Sequence, residues 1–179
     1  MTKYEYIIDV GAYNGDTLEK FHNLTQGEYN RIICLELNRF NYDKLIKKVD
    51  MIGNQKKVLA LCVGAWSDSK EVTYTIGQSQ STLGKGTERG VVDKIDNIAR
   101  DERITYIKMD IEGAEQEALK GAVQVIQVMK PKLAICVYHK FQDLWEIPFL
   151  IRSMHSDYKL YLRHHTPLEY ETVCYALHD

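Results

Sequence analysis

The sequence predicts an α/β protein: a seven-stranded, mostly parallel sheet with helices on both faces. Three observations carry that expectation. Short, almost wholly apolar runs recur along the chain, as in strands covered on both sides. Helical patterns lie between most of them, which makes the strands parallel. The final two runs are separated only by "TPLEYE", too short for a helical crossover, so they pair antiparallel. At 179 residues, 45% hydrophobic and 27% charged, the chain fits a single domain spanning residues 1–179.

The first strand is expected from Tyr6 to Val10. A helix follows with Leu18, Phe21 and Leu24 or Thr25 on one face, Asp16 as its N-cap and Glu19 completing a capping box. The second strand, Arg31 to Leu37, leads into a helix carrying Phe40, Leu45 and Val49. Lys44, Lys47 and Lys48 form its solvated side. After a strand from Lys57 to Val63, "WSDSKEVTYTIGQSQSTLGKGTERG" is rich in Ser, Gly and Thr, so a hairpin or loop excursion around Glu71 to Ile76 replaces a helix. The strand Ile104 to Met109 precedes a helix from Glu115 to Met129, with Ala118, Ala122 and Val125 at helical spacing and Pro131 as its stop. Lys132 to Tyr138 is the next strand. A helix is then expected to begin near Pro148, followed by strands Tyr158 to Arg163 and Thr172 to Leu177.

Composition excludes several classes. A formal net charge of −2 provides no broad basic footprint for nucleic acid. No uncharged apolar run approaches the roughly 18 residues of a membrane span, and no signal-peptide pattern stands at the N-terminus. All four cysteines sit in apolar runs and read as core thiols, without zinc spacing. A cytoplasmic protein is expected.

The chemistry gathers at the predicted carboxyl ends of the strands, where parallel sheets bind ligands. "DVGAYNG" is one such end: Gly11 allows a sharp turn and Gly15 lets the next helix start close to a ligand. The dinucleotide fingerprint fails, because Tyr13 and Asp16 stand where glycines are required. Gly84, Lys85 and Gly86 likewise miss the phosphate-loop pattern. Glu36 ends the second apolar run, where a carboxylate grips both hydroxyls of a ribose, whether of NAD or of an adenosyl group. Asp9 argues against a pyrophosphate and for a ligand with a positively charged amino-acid moiety. In "ITYIKMDIEGAEQEALKGA", Asp110, Glu112 and Glu115 crowd one strand-to-helix turn. The helix dipole accounts for Glu115 and Glu117, but not for Asp110 on the strand side.

The stretches "IIDVGAYNGDT", "CLELNRFNYDKL", "LCVGAWSDS", "KIDNIARDERITYIKMDIEGAEQEALKGA" and "PKLAICVYHK" cover nearly the whole chain, and in their order the sequence resembles the FkbM-type S-adenosylmethionine-dependent methyltransferases. The resemblance implies a class I Rossmann-like fold with its seventh strand inserted antiparallel. It implies O-methylation of a hydroxyl on a sugar or natural product, with S-adenosyl-L-methionine as cofactor. Carried onto the matching stretches, it adds Ala12, Tyr13, Asp16, Thr17 and Asn38 to Asp9, Gly11, Gly15, Glu36, Gly64, Ala65, Trp66 and Asp110 as cofactor contacts. Family members commonly carry more sequence before the first strand, so a short member or part of a larger protein is expected.

For an acceptor hydroxyl, His139 is the expected general base, beside Asp110 and Glu112 at the same crevice. Those three residues are also of the types that hold a divalent cation, but nothing in their spacing demands one, and no metal is expected. His164 and His165 are adjacent in a strand and point to opposite faces, so they cannot readily share an ion. The expected partner is a small hydroxylated acceptor, with no nucleic acid and no membrane. Two other readings stand beside this one: an NAD-dependent oxidoreductase of similar architecture, disfavoured by the glycine pattern and Asp9, and a noncatalytic cofactor-binding partner protein.

Overall fold

The structure, a computed structural model, describes residues 4–76, 81–83, 86–100 and 102–178. Its strands are β1 (Tyr6–Val10), β2 (Arg31–Leu35), β3 (Val58–Leu61), β4 (Gly64–Ala65), β5 (Lys70–Ile76), β6 (Ser81–Leu83), β7 (Glu88–Asp93), β8 (Tyr106–Met109), β9 (Lys132–Cys136), β10 (Lys159–His164) and β11 (Thr172–Leu177). The helices are α1 (Asp16–Thr25), α2 (Arg39–Ile52), α3 (Ile95–Ile98), α4 (Glu115–Lys120) and α5 (Asp143–Met154), with a π-helical turn at Val125–Met129. Seven strands form the main sheet in the order β10-β11-β9-β8-β1-β2-β3. β11 runs antiparallel to both neighbours, and the other pairings are parallel.

Side chains alternate across this sheet, and β1, β2, β3 and β8 contribute to a core on each face. On one face Ile8, Ile33, Ile107 and Ile135 pack with Leu119 of α4 and with Ile147 and Ile151 of α5. On the other, Ile7, Ile32 and Cys34 pack with Leu18 and Phe21 of α1 and Leu45 and Val49 of α2. These two helices lie over β1, β2 and β3. Farther along the same face, β8, β9 and β11 present Lys108, Ala134, Cys136 and Tyr175 to a cavity.

Several local expectations are corrected. The excursion is a second sheet, β4-β7-β5-β6, rather than a lone hairpin. Part of it, including Gly84 and Lys85 and much of the Gly77 to Gly90 loop, lies outside the described residues. α1 is capped by Gly15 in the left-handed region; Asp16 is its first residue and accepts the Thr17 N–H at 2.8 Å. Thr25 rather than Leu24 faces the core, and Phe40 is exposed. The helix expected over 115–129 breaks at Gly121, and Asp96 restarts it by accepting the N–H groups of Gln124 and Val125. α5 begins five residues before Pro148, which sits inside it. Cys34, Cys136 and Cys174 are buried thiols, but Cys62 is exposed.

Candidate active site

A cavity of about 700 Å³ opens at the carboxyl ends of β1, β2 and β8, where parallel strands bring several turns together. The turn after β1 contributes Gly11 and Tyr13 to its wall, and the start of α1 contributes Asp16 and Thr17. Gly11 has φ +79, and a Cβ there would lie 2.0 Å from the Asp110 carbonyl oxygen. The residue is therefore required by the neighbouring strand as well as by any ligand. The N–H groups of Gly11 and Ala12 both donate to the Leu35 carbonyl at 3.0 Å, fixing the end of β1 against β2.

Glu36, one residue past β2, is only 8% exposed and lines the same cavity. Its Oε2 accepts the Tyr13 N–H and its Oε1 the Asn38 N–H, each at 2.8 Å. Burial pushes its pKa up, and the two N–H donors only partly offset this. Each oxygen keeps a second lone pair, so two hydroxyls of a sugar can still be accepted together. Gly64, Ala65 and Trp66 form another part of the wall, with the Lys70 ammonium 5.6 Å from the Trp66 ring.

Four expected cofactor contacts lie elsewhere. Asn38 caps α2, its Oδ1 accepting from Phe40 N at 2.9 Å, and Ala12 is fully buried. Gly15 packs against Lys48 of α2. Asp9 is completely buried with Lys108 Nζ 3.2 Å from its Oδ1; burial raises its pKa and the lysine offsets this only in part. Burial alone would lower the Lys108 pKa; the carboxylates of Asp9 and Asp110 more than reverse this and keep it protonated. Lys108 also donates to the Gly11 carbonyl at 3.2 Å and lines the cavity. Sequence reasoning missed it, although "YIKM" places a lysine in an apolar strand that registers directly with Asp9.

Asp110 and Glu112 do reach the cavity, whereas His139 stands behind them and is not part of its wall. The imidazole is caged by carboxylates: Nδ1 is 3.0 Å from Glu115 Oε1, and Nε2 is 3.4 Å from both Asp110 Oδ1 and Glu112 Oε2. Burial would lower its pKa, but Glu115, Asp110 and Glu112 raise it overall. A general base at His139 would have to act from behind Asp110 and Glu112, away from the cavity wall where an acceptor hydroxyl would lie. Glu115 does more than complement a helix dipole: fully buried, it also accepts the Ile111 N–H at 2.9 Å. Tyr138, another residue missed in the sequence, donates its hydroxyl to Asp110 Oδ1 at 3.0 Å. Asp110, Glu115 and His139 offer ligand atoms within 4.8 Å of one another, a candidate cation site that differs by Glu115 from the triplet suggested by the sequence.

A family model described as the methyltransferase FkbM domain matches residues 9–166. Among solved structures, the chain is similar to methyltransferase FkbM from Methylobacillus flagellatus KT at 32% identity and a TM-score of 0.86, covering 97% of this chain and 44% of that one. The chain thus spans less than half the length of that relative. Two more distant structures share the fold. The precorrin-6y C5,15-methyltransferase of Geobacter metallireducens GS-15 has 10% identity and TM-score 0.62, covering 100% of this chain and 82% of the other. The Aeropyrum pernix fibrillarin in complex with natively bound S-adenosyl-L-methionine has 11% identity and TM-score 0.63, covering 98% and 67%. No curated protein matches.

Proposed function

Because the chain belongs to the FkbM methyltransferase family, we propose that it methylates a hydroxyl of a sugar or natural product using S-adenosyl-L-methionine. The observation that carries this is Glu36, whose two anchored oxygens face a cavity of about 700 Å³ with acceptor capacity left for a ribose. That volume lies within the roughly 300–1,000 Å³ usual for small-molecule sites. When bound, the cofactor supplies a methyl carbon activated by a sulfonium.

The residues of the chain divide the remaining work. Glu36 orients the nucleoside, the Gly11 turn permits close backbone approach, and Trp66 with Ala65 covers the adenine end. The carboxylates of Asp110 and Glu112 favour a positively charged ligand and oppose a pyrophosphate, which argues against the NAD-dependent reading. His139 positions those two carboxylates. Placing reactants in line can supply about 7–11 kcal/mol, against roughly 3–5 kcal/mol from a general base, so cofactor placement carries the larger share. Four free thiols, one of them exposed at Cys62, suit a reducing cytoplasmic compartment.

Calorimetric titration with S-adenosylhomocysteine and with NADH tests the cofactor. Transfer of labelled methyl from S-adenosylmethionine into an extract of the source cell tests the reaction. Tight binding of NADH with none of S-adenosylhomocysteine would refute the proposal, and cofactor binding without transfer would favour a noncatalytic partner.

A further inference from the structure

His139 stands behind the cavity wall, so the acceptor's proton needs a destination among the groups that line the cavity. Tyr175 of β11 registers with Ala134 of β9, which registers with Lys108 of β8. Residues directly across a ladder share a face, so these three form one row, with Tyr175 about 10 Å from Lys108 measured strand to strand. His165, one residue beyond β10, falls on the same face, and its Nε2 lies 2.9 Å from the Tyr175 hydroxyl. Both residues line the cavity that also contains Glu36 and Asp110.

The pair is not needed to hold the hairpin. β10 and β11 are already joined by a six-residue ladder, and His164 meets Thr172 at 2.8 Å on the opposite face. Beyond the ladder, the His165 N–H donates to the Glu171 carbonyl at 3.1 Å, and Glu171 itself has φ +68.

We infer that Tyr175 is the catalytic residue that receives the acceptor's hydroxyl proton and that His165 is its positioning residue, an assignment that rests on the methyltransferase reading. A neutral imidazole accepts the phenol proton at Nε2, which leaves the phenol oxygen's lone pairs for the acceptor O–H. As the acceptor oxygen bonds to the methyl carbon, the carbon–sulfur bond breaks and its electron pair goes to sulfur. The acceptor proton passes to Tyr175 Oη, and the tyrosine's own proton passes to His165 Nε2. The exposed imidazolium then releases a proton to water.

The test compares the full chain with Tyr175→Phe and His165→Gly, by S-adenosylhomocysteine calorimetry and by labelled methyl transfer into source-cell extract at saturating cofactor. Both variants are expected to bind S-adenosylhomocysteine within about twofold of wild type while transfer falls about a hundredfold or more. Added imidazole should restore much of the rate to His165→Gly and none to Tyr175→Phe. In ¹⁵N-histidine spectra, Tyr175→Phe should remove the hydrogen-bond shift at His165 Nε2, a readout independent of turnover. Wild-type transfer in either variant, or loss of cofactor affinity equal to the loss of rate, overturns the assignment. A wild-type chain that does not bind S-adenosylhomocysteine overturns the underlying reading instead, before any variant is compared.

Discussion

Replacing Glu36 with alanine should weaken folding and cofactor binding together. The carboxylate accepts two backbone N–H bonds at 2.8 Å, one from the turn after β1 and one from the start of α2. Hydrogen bonds to a charged group contribute roughly 1.5–3 kcal/mol each. Removing the buried carboxylate also relieves its desolvation, the effect that raises its pKa. The expected net loss is about 2–4 kcal/mol of folding free energy, large beside the roughly 5–15 kcal/mol of a whole domain. Glu36→Gln keeps one acceptor oxygen but turns an amide donor toward the other N–H, so about 1–3 kcal/mol should be lost. S-adenosylhomocysteine affinity should fall about tenfold to a hundredfold in the alanine variant, roughly 1.4–2.7 kcal/mol. Urea denaturation measures the first effect and calorimetric titration the second. An unchanged urea midpoint would show that the two N–H bonds do not hold the turn; an unchanged affinity would remove Glu36 from the nucleoside site.

Three further outcomes follow from the buried charges and the Gly11 turn. His139 has its pKa raised in the folded chain, so its stabilisation is complete below the unfolded value of about 6.5 and disappears as pH rises through the folded value. The stability gap between wild type and His139→Gln should therefore shrink as pH is raised from about 6 toward 9; a gap independent of pH contradicts the caged cation. Lys108→Met leaves Asp9 buried without its counter-ion and should cost about 3–5 kcal/mol, with Asp9→Asn added to it recovering much of that loss in a double-mutant cycle. Strictly additive losses would mean that the two residues act independently. Gly11→Ala should prevent soluble folding, because its Cβ would meet the Asp110 carbonyl; a variant with a wild-type urea midpoint that merely loses cofactor would show the glycine to be a ligand-clearance residue only.

Much of this protein follows from local pattern. Apolar strand runs separated by helical periodicity fix the parallel sheet, because backbone pairing and burial on both faces leave few other ways to use them. That Glu36 and Asp110 stand at strand ends opening on one cavity was legible as well, since each carboxylate closes an apolar run. What depended on the fold is which groups meet. Asp9 reads as a ligand group until β8 lies beside β1 and brings Lys108 to it. His139 reads as a residue of the cavity until the fold sets it behind the wall, among three carboxylates. His165 and Tyr175 are ten residues apart, one just beyond β10 and the other in β11, and only the hairpin puts them together on the cavity face. The sequence by itself thus determined the architecture and the types of group at the strand ends, which depend on periodicity and short-range sterics. The tertiary structure alone decided which of those groups are charged, paired or open to a ligand, because burial and electrostatic energies depend on neighbours distant in the chain.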